Sequence, residues 1–179
     1  MRVGAVRWAA EAPRMTAPAG LAIVTAPGQP GETCIKLLDK KRDAAHPLLQ
    51  RCTFGAVWTN SVSTNAYGTA LALAVQPLEG WSELWIWRRR GDGWTLDVLP
   101  PAAAEPGLGY VEFAGWAPAA TPKLLVAREA KINGKVIRRF EVLMTDSLAT
   151  DRFASTPQLL AAFGPWADPR WKRTTVSLR

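Results

Sequence analysis

The residues of this sequence with the most chemical potential are Cys34, His46 and Cys52, which could supply a nucleophile, a base or soft metal ligands. Cys52 and His46 formally make a nucleophile and a base, but a separation of six residues in one loop is no sign of catalytic geometry. Two cysteines and one histidine are too few for the usual tetrahedral zinc set. Carboxylates occur singly near turns and strand ends, without the paired arrangement of a glycosidase. We therefore predict no catalytic residue, no metal site and no cofactor.

Cys34 and Cys52 are instead the two candidates for a disulfide. Closing the loop of 17 residues between them would stabilise the fold by roughly 3 kcal/mol on the chain-entropy model. The alternative is a pair of buried free thiols in a reducing compartment. Which of the two applies depends on whether the cysteines lie on neighbouring strands, within bonding distance of each other.

Residues 88–92, RRRGD, combine two further motifs. Arg90-Gly91-Asp92 spells a cell-attachment sequence, but Asp-Gly between two hydrophobic runs is first of all a hairpin turn that needs positive φ. The three arginines continue a strand, and strand alternation lets at most two of them share a face. Nucleic-acid binding needs a continuous basic groove with stacking aromatics, so we disfavour nucleic acid as a partner.

The composition is that of one ordinary folded domain. The 179 residues are 48% apolar and 21% charged, which excludes an intrinsically disordered chain. A net charge of +7 is compatible with a polyanionic partner, but the scattered basic pairs and triplets are more typical of a basic protein surface. No stretch approaches 18 uninterrupted apolar residues, so we expect no membrane span. Nothing in the sequence identifies a small-molecule ligand.

Short apolar segments bounded by Gly, Pro, Asn or Asp predict a mainly β structure. The clearest hairpins turn at Gly91-Asp92-Gly93 and at Asn133-Gly134. In the run GTALALAV, which begins at residue 68, small and large apolar side chains alternate, so both faces of this strand should be covered. The next run presents two tryptophans to one side and two aliphatics to the other, and we expect all four in the core: Leu84, Trp85, Ile86 and Trp87.

A repeat of about 50 residues runs through the chain. One tryptophan marks each unit, with spacings of 50, 58 and 50 residues: Trp8, Trp58, Trp116 and Trp166. A strand of small and aliphatic residues follows each of the first three tryptophans, and a third and a fourth apolar strand follow that. Four strands in about 50 residues are what one β-propeller blade requires.

The unit from residue 109 to 147 resembles the blades of the TolB-like and WD40-like repeat families. Those blades carry a Trp-Ser-Pro-Asp-Gly signature before an apolar strand. Here Trp116-Ala117-Pro118 matches the start of the signature, and Ala119-Ala120 replace its Asp-Gly. The resemblance implies a propeller-like fold and, from many family members, a periplasmic or scaffold setting, while other members are enzymes. It carries no functional residue across.

We therefore predict an all-β chain of antiparallel, four-stranded, blade-like repeats, forming a partial or irregular β-propeller of about three and a half units. The single domain, residues 1–179, divides into units at 1–53, 54–106, 107–156 and a closing segment, 157–179. Near the end, TPQLLAAF favours a short helix with Thr156 as its cap. RWKRTTVSLR is a final strand that either completes the first blade or ends the C-terminal part of a longer propeller. Cys34 and Cys52 then fall on neighbouring strands of the first unit, which favours the disulfide on geometry and on analogy with the fold.

The function we expect is that of a non-catalytic binding or scaffold module of the bacterial cell envelope, acting through a protein partner or self-association. The export signal would have to lie upstream of Met1, because Arg7, Glu11 and Arg14 interrupt the apolar run that a signal peptide needs. Two alternatives stay open. One is a hydrolase-like fragment of a propeller enzyme with its site on missing blades, and the other is a basic cytoplasmic module that binds nucleic acid.

Overall fold

The computed structural model describes residues 20–118 and 121–174, with the side chains of residues 172–174 left aside. Trp8 therefore lies outside the described residues. The described part is built almost entirely of strands, which confirms the all-β prediction. The eleven strands are β1 (Ala22–Pro27), β2 (Thr33–Leu38), β3 (Leu49–Thr53), β4 (Ala56–Thr64), β5 (Ala70–Leu78), β6 (Trp81–Arg90), β7 (Gly93–Leu99), β8 (Leu108–Trp116), β9 (Lys123–Ile132), β10 (Lys135–Met144) and β11 (Thr150–Ala154).

The strands form two sheets. The first sheet has the order β1-β2-β3, and the second has the order β11-β10-β9-β8-β6-β5-β4, with β7 pairing β6 as well. All pairings are antiparallel except a short parallel bridge that joins Trp81 and Ser82 of β6 to Gly109 and Tyr110 of β8. In chain order the second sheet is therefore two four-stranded antiparallel meanders, the middle meander (β4–β7) and the last meander (β8–β11). The described strands do not close into a ring.

Both predicted hairpins form where the turn chemistry indicates. Gly91 has a φ of 55° in the β6–β7 turn, and Arg90 pairs with Gly93 across it. In the β9–β10 turn, Asn133 and Gly134 have φ values of 49° and 77°. Two successive residues with positive φ are the requirement of a type I′ turn, whose twist matches that of the flanking strands.

The layers stack in chain order, with an apolar core between each pair. The first core lies between the first sheet and one face of the middle meander: Leu21, Ile23, Ile35, Leu37, Val62, Leu71, Leu73, Val75, Trp85 and Trp87. The second core lies between the other face of the middle meander and the last meander: Ala72, Leu84, Ile86, Leu99, Val111, Leu124, Val126 and Leu143. The third core lies between the last meander and the C-terminal segment: Ala114, Leu125, Ala127, Phe140, Val142, Leu160 and Phe163.

The middle meander is buried on both faces, as the sequence predicts. Leu71 and Leu73 of β5 enter the first core, while Ala72 between them enters the second. The four large residues of β6 divide in the same way and are all at most 3% exposed: Leu84, Trp85, Ile86 and Trp87. Alternation of large and small side chains lets β5 lie between two layers without overpacking either.

The end of the chain differs from two predictions. TPQLLAAF is helical only as two 3₁₀ turns, Pro157–Leu159 and Ala161–Phe163, with Leu160 between them extended at φ −112°. Thr156 precedes the first turn, as predicted, but makes no side-chain cap. Residues 170–174, the first half of the predicted final strand RWKRTTVSLR, belong instead to helix α1 (Pro169–Thr174), and residues 175–179 of that prediction lie outside the described residues. Asp168 caps this helix through its Oδ1, which accepts from the Arg170 N–H at 2.8 Å, and proline at the first helical position suits the start.

Candidate functional site

The two cysteines lie directly opposite each other on β2 and β3. The structure joins their sulfur atoms, with an S–S distance of 1.97 Å. The carboxylate of Glu32 lies close by, so that three possible metal-ligand atoms fall within 4.8 Å of one another. Because both sulfurs belong to the disulfide, this group presents no thiolate to a metal ion. His46 pairs instead with Asp43, at 2.7 Å, and its hydrogen bond lowers the pKa of that carboxyl group.

The tryptophans used to align the repeat have different surroundings. Trp58 lies in β4 and Trp116 at the end of β8, the first strands of the middle and last meanders. Trp116 donates its Nε1–H to Ser63 Oγ at 3.1 Å and so connects the two meanders. Trp166 lies in a bend between the second 3₁₀ turn and α1, packed against the third core.

The arginine triplet at the end of β6 clamps the middle meander to the last one. Arg88 and Arg90 share the face that looks toward the last meander, as strand alternation predicts. Arg88 is buried, and its guanidinium donates to the carboxylate of Asp97 and to the carbonyls of Thr145 and Asp146. Arg90 donates to the same Asp146 carbonyl at 2.6 Å. Two arginines of one strand thus hold the β10–β11 turn in place.

Above this clamp the loops surround a basic cleft of about 520 Å³. It is lined by the β4–β5 turn, the end of β6, the facing ends of β8 and β9, and the β10–β11 turn: residues 65–67, 69, 88–91, 116, 117, 121–123, 145 and 146. Four of these residues are cationic and one is acidic: Arg88, Arg89, Arg90 and Lys123 against Asp146. A volume of this size is in the range of small-molecule sites.

Only part of the positive charge in the basic cleft is neutralised. Arg88 pairs with Asp97, and Lys123 pairs with Asp151 at 3.0 Å. Within residues 20–118 and 121–174, no carboxylate forms a salt bridge with Arg89 or Arg90. Both of these arginines are exposed, and Arg90 shares the face of Arg88 that looks toward the last meander. The guanidinium of Arg90 therefore offers the cleft hydrogen-bond donors that no carboxylate neutralises.

The walls of the basic cleft are held by hydrogen bonds. Asn65 fixes the β4–β5 turn, since its Oδ1 accepts from the backbone N–H groups of Thr69 and Ala70 at 2.9 and 3.0 Å. Tyr67, at the tip of this turn, is 63% exposed, and its ring lines the cleft. Trp116 lines the same cavity.

The last meander contains a buried polar ladder that the sequence analysis missed. Glu129 of β9 is fully buried between its cross-strand partners Tyr110 and Arg138. Its Oε2 accepts from the Tyr110 hydroxyl at 2.8 Å, and from Nε and Nη2 of Arg138 at 2.8 and 2.6 Å. Burial, and then the hydrogen bond to Glu129, raises the pKa of Tyr110 well above its ordinary value of 10.0. The hydrogen bond to Glu129 raises the pKa of Arg138. A buried carboxylate that accepts hydrogen bonds from two fixed donors has a structural role. The alternating charges along β9 and β10 were the sequence signal that could have predicted this ladder.

An apolar rim lies at the opposite end of the meanders from the basic cleft. We define it by five exposed large side chains: Phe54, Leu78, Leu108, Val136 and Ile137, which are 38–67% exposed. Leu108 lies against Gly80, and Leu108 and Val136 both pair with Lys131, while Val136 and Ile137 point to opposite faces of β10. Single exposed apolar side chains are common, but five at one end of the meanders are typical of an interaction surface.

Comparison with protein-family models, with curated proteins and with solved structures finds no match for this chain. The function must therefore be argued from the surfaces themselves. Of the helices within the described ranges, none has the length and apolar character needed to cross a membrane.

Proposed function

We propose that this chain is a non-catalytic binding module of propeller-like build that engages a protein partner through its apolar rim. The observation that carries the proposal is the exposure of five large apolar side chains at one end of the meanders. Leaving these side chains in water forgoes about 25 cal/mol for every Å² that a partner could bury. A protein partner offers a complementary surface that is wide enough to cover side chains on several strands at once.

The propeller-like build is supported by strand count and packing order. Each meander has four antiparallel strands, as a blade does, and successive layers pack face to face in chain order. Propellers commonly serve as rigid supports for binding surfaces at the ends of their strands. The apolar rim lies at such an end.

The partner is tested by site-specific photocrosslinking in the native host. A photoreactive phenylalanine analogue replaces Leu78 in the rim, and the control replaces Leu159, which is 72% exposed on the first 3₁₀ turn. We expect one ultraviolet-dependent product of reproducible mass from position 78 and none from position 159. Ile137→Asp, at a second rim position, should abolish the product, whereas Leu159→Asp should leave it unchanged. Equal products from both positions would count against the proposal.

The same experiment distinguishes a different protein from a second copy of this chain. A product of twice the 19.5 kDa chain mass identifies self-association, which sedimentation of the purified chain must then reproduce. Any other single mass identifies a distinct partner.

We further propose that the module works in the bacterial cell envelope, and the disulfide supports this part. The test is the intact mass of protein prepared from its native host without reductant, before and after thiol alkylation under denaturing conditions. We expect neither Cys34 nor Cys52 to take label until it is reduced. Immediate labelling of both cysteines would contradict the proposed envelope location, but it would leave the proposal of a protein partner at the apolar rim unaffected.

A further inference from the structure

We propose that the basic cleft binds a small organic anion, a carboxylate or a phosphate monoester attached to a planar group. The cleft lies at the opposite end of the meanders from the apolar rim, so this proposal does not depend on the protein partner. It would give the molecule a second, separate binding activity.

The charge balance of the cleft selects an anion. Arg88 and Lys123 are neutralised by acidic partners, whereas Arg90, on the same face as Arg88, has no carboxylate partner among the described residues. Arg90 donates one N–H group to the Asp146 carbonyl, and its remaining N–H groups are available to a ligand. Guanidinium donors in this planar arrangement match the paired oxygens of a carboxylate or phosphate.

The anchor for the anion is held rigidly. The Asp146 carbonyl that orients Arg90 is itself fixed by Arg88, which is only 5% exposed. The opposite wall is fixed by Asn65 and its hydrogen bonds to the β4–β5 turn. A site whose walls are ordered before binding loses little entropy when a ligand enters.

The aromatic side chains select the group attached to the anion. Tyr67 lines the cleft with an exposed ring, for which the described residues show no hydrogen bond and no ring contact. Trp116 lines the same cavity, and because its Nε1–H is already donated to Ser63, its indole offers no free donor to a ligand. A planar apolar group in contact with these rings would remove their surface from water.

The proposal is tested by calorimetric titration with phenyl phosphate, benzoate, inorganic phosphate and the neutral analogue benzyl alcohol. We expect saturable binding of phenyl phosphate or of benzoate, and none of benzyl alcohol. Stronger binding of phenyl phosphate identifies a phosphate site, and stronger binding of benzoate a carboxylate site. Inorganic phosphate should bind at least about tenfold more weakly than phenyl phosphate if the rings contribute.

Variants separate a specific site from general attraction to a basic protein. Arg90→Gln should weaken binding at least about tenfold, and Tyr67→Ala about threefold or more. Arg42→Gln removes the same charge from the exposed β2–β3 loop and should change nothing. Thermal unfolding of each variant checks that the clamp survives, and Tyr67→Ala keeps the test valid if Arg90→Gln does not fold.

Three results would overturn the proposal. One is the lack of saturable binding by any anionic probe, and another is an equal loss of affinity in the Arg42→Gln and Arg90→Gln variants. The third is much tighter, steeply salt-dependent binding of a single-stranded oligonucleotide of about ten nucleotides, which would identify the cleft as a nucleic-acid site.

Discussion

Arg88 shows how one buried cation can fix the relation between two parts of a sheet. Its guanidinium connects Asp97 of the same meander to the carbonyls of Thr145 and Asp146 in the next one. The donors are matched by acceptors on both sides, which is the condition for a buried charge to be tolerated. At the sequence level Arg88 looked like one of three equivalent arginines, and only its burial distinguishes it.

We predict that Arg88→Met destabilises the protein by about 2 kcal/mol, because it leaves the Thr145 carbonyl and the Asp97 carboxylate without this donor, and the Asp146 carbonyl with Arg90 alone. Asp97 is partly exposed to water, which keeps the loss below that of a fully buried pair. Urea unfolding followed by circular dichroism measures the change. The control Arg89→Met, at the exposed neighbour, should stay within about 0.5 kcal/mol of the parent. Equal losses of stability in the two variants would contradict the role of Arg88 as a clamp between the two meanders.

Tyr110 offers a second test at the residue scale, through its raised pKa. Tyr67 and Tyr110 are the chain's two tyrosines, so Tyr67→Phe isolates the Tyr110 signal. We predict that absorbance at 295 nm shows no phenolate at the ordinary pKa of 10.0, and that ionisation comes only at higher pH or on unfolding. A midpoint near pH 10 in the folded protein would show that the ladder with Glu129 is absent.

The raised pKa of Tyr110 determines how the stability of the protein changes at alkaline pH. Because the unfolded chain releases the Tyr110 proton before the folded chain does, stability is unaffected below about pH 10 and falls as the pH rises above it. Tyr110→Phe should remove that part of the alkaline loss. Circular dichroism at increasing pH measures it.

At the scale of elements, the hairpin turns set the register of the meanders. The β9–β10 turn places Ile132 opposite Lys135, and this pairing continues along the full length of both strands. The register decides which side chains face each core, since a slip of one residue would exchange the two faces. It places Leu124 in the second core and Leu125 in the third.

We predict that Gly134→Ala destabilises the protein by about 1 kcal/mol, because a side chain disfavours the φ of 77°. A Cβ atom at this position would meet nothing within 4 Å, so the loss reports the backbone conformation alone. The matched control is Gly107→Ala, which also has open space around it and has no positive φ. Thermal unfolding should show a lower midpoint for Gly134→Ala and no loss for Gly107→Ala.

At the scale of the whole molecule, the C-terminal segment takes the place of a further layer on the last meander. Leu160 and Phe163 enter the third core, and Trp171 donates to Glu112 at 2.8 Å. The segment approaches β8 closely at Gly115, where a Cβ atom would clash with the Trp166 carbonyl oxygen. Glycine is needed here for space and for its φ of 158°, which other residues rarely adopt.

We predict that Gly115→Ala displaces this segment and destabilises the protein by about 2 kcal/mol. The backbone bond from the Asp168 N–H to the Ala114 carbonyl, 2.7 Å long, should be lost with it. Hydrogen exchange should become faster in residues 157–171 while the first sheet keeps its protection. Unchanged exchange in the segment would show that it is not seated on Gly115, and Gly107→Ala again serves as the control.

The sequence by itself determined the strands, the two hairpins and the division of β5 and β6 between two cores. These features depend on neighbours in the chain: the alternation of side chains along a strand and the positive φ that Gly91 supplies in one turn and Asn133-Gly134 in the other. The same local signals at Asp168 and Pro169 also indicated α1, although we predicted a strand there.

The tertiary structure alone decided the clamp, the basic cleft and the apolar rim. Arg88 meets Thr145 across 57 residues of chain, and Trp116 meets Ser63 across 53. Such contacts depend on how the layers stack, which no local pattern specifies. An arginine at a strand end can face water or a neighbouring turn with the same sequence around it, and only the burial provided by the next layer makes it a clamp.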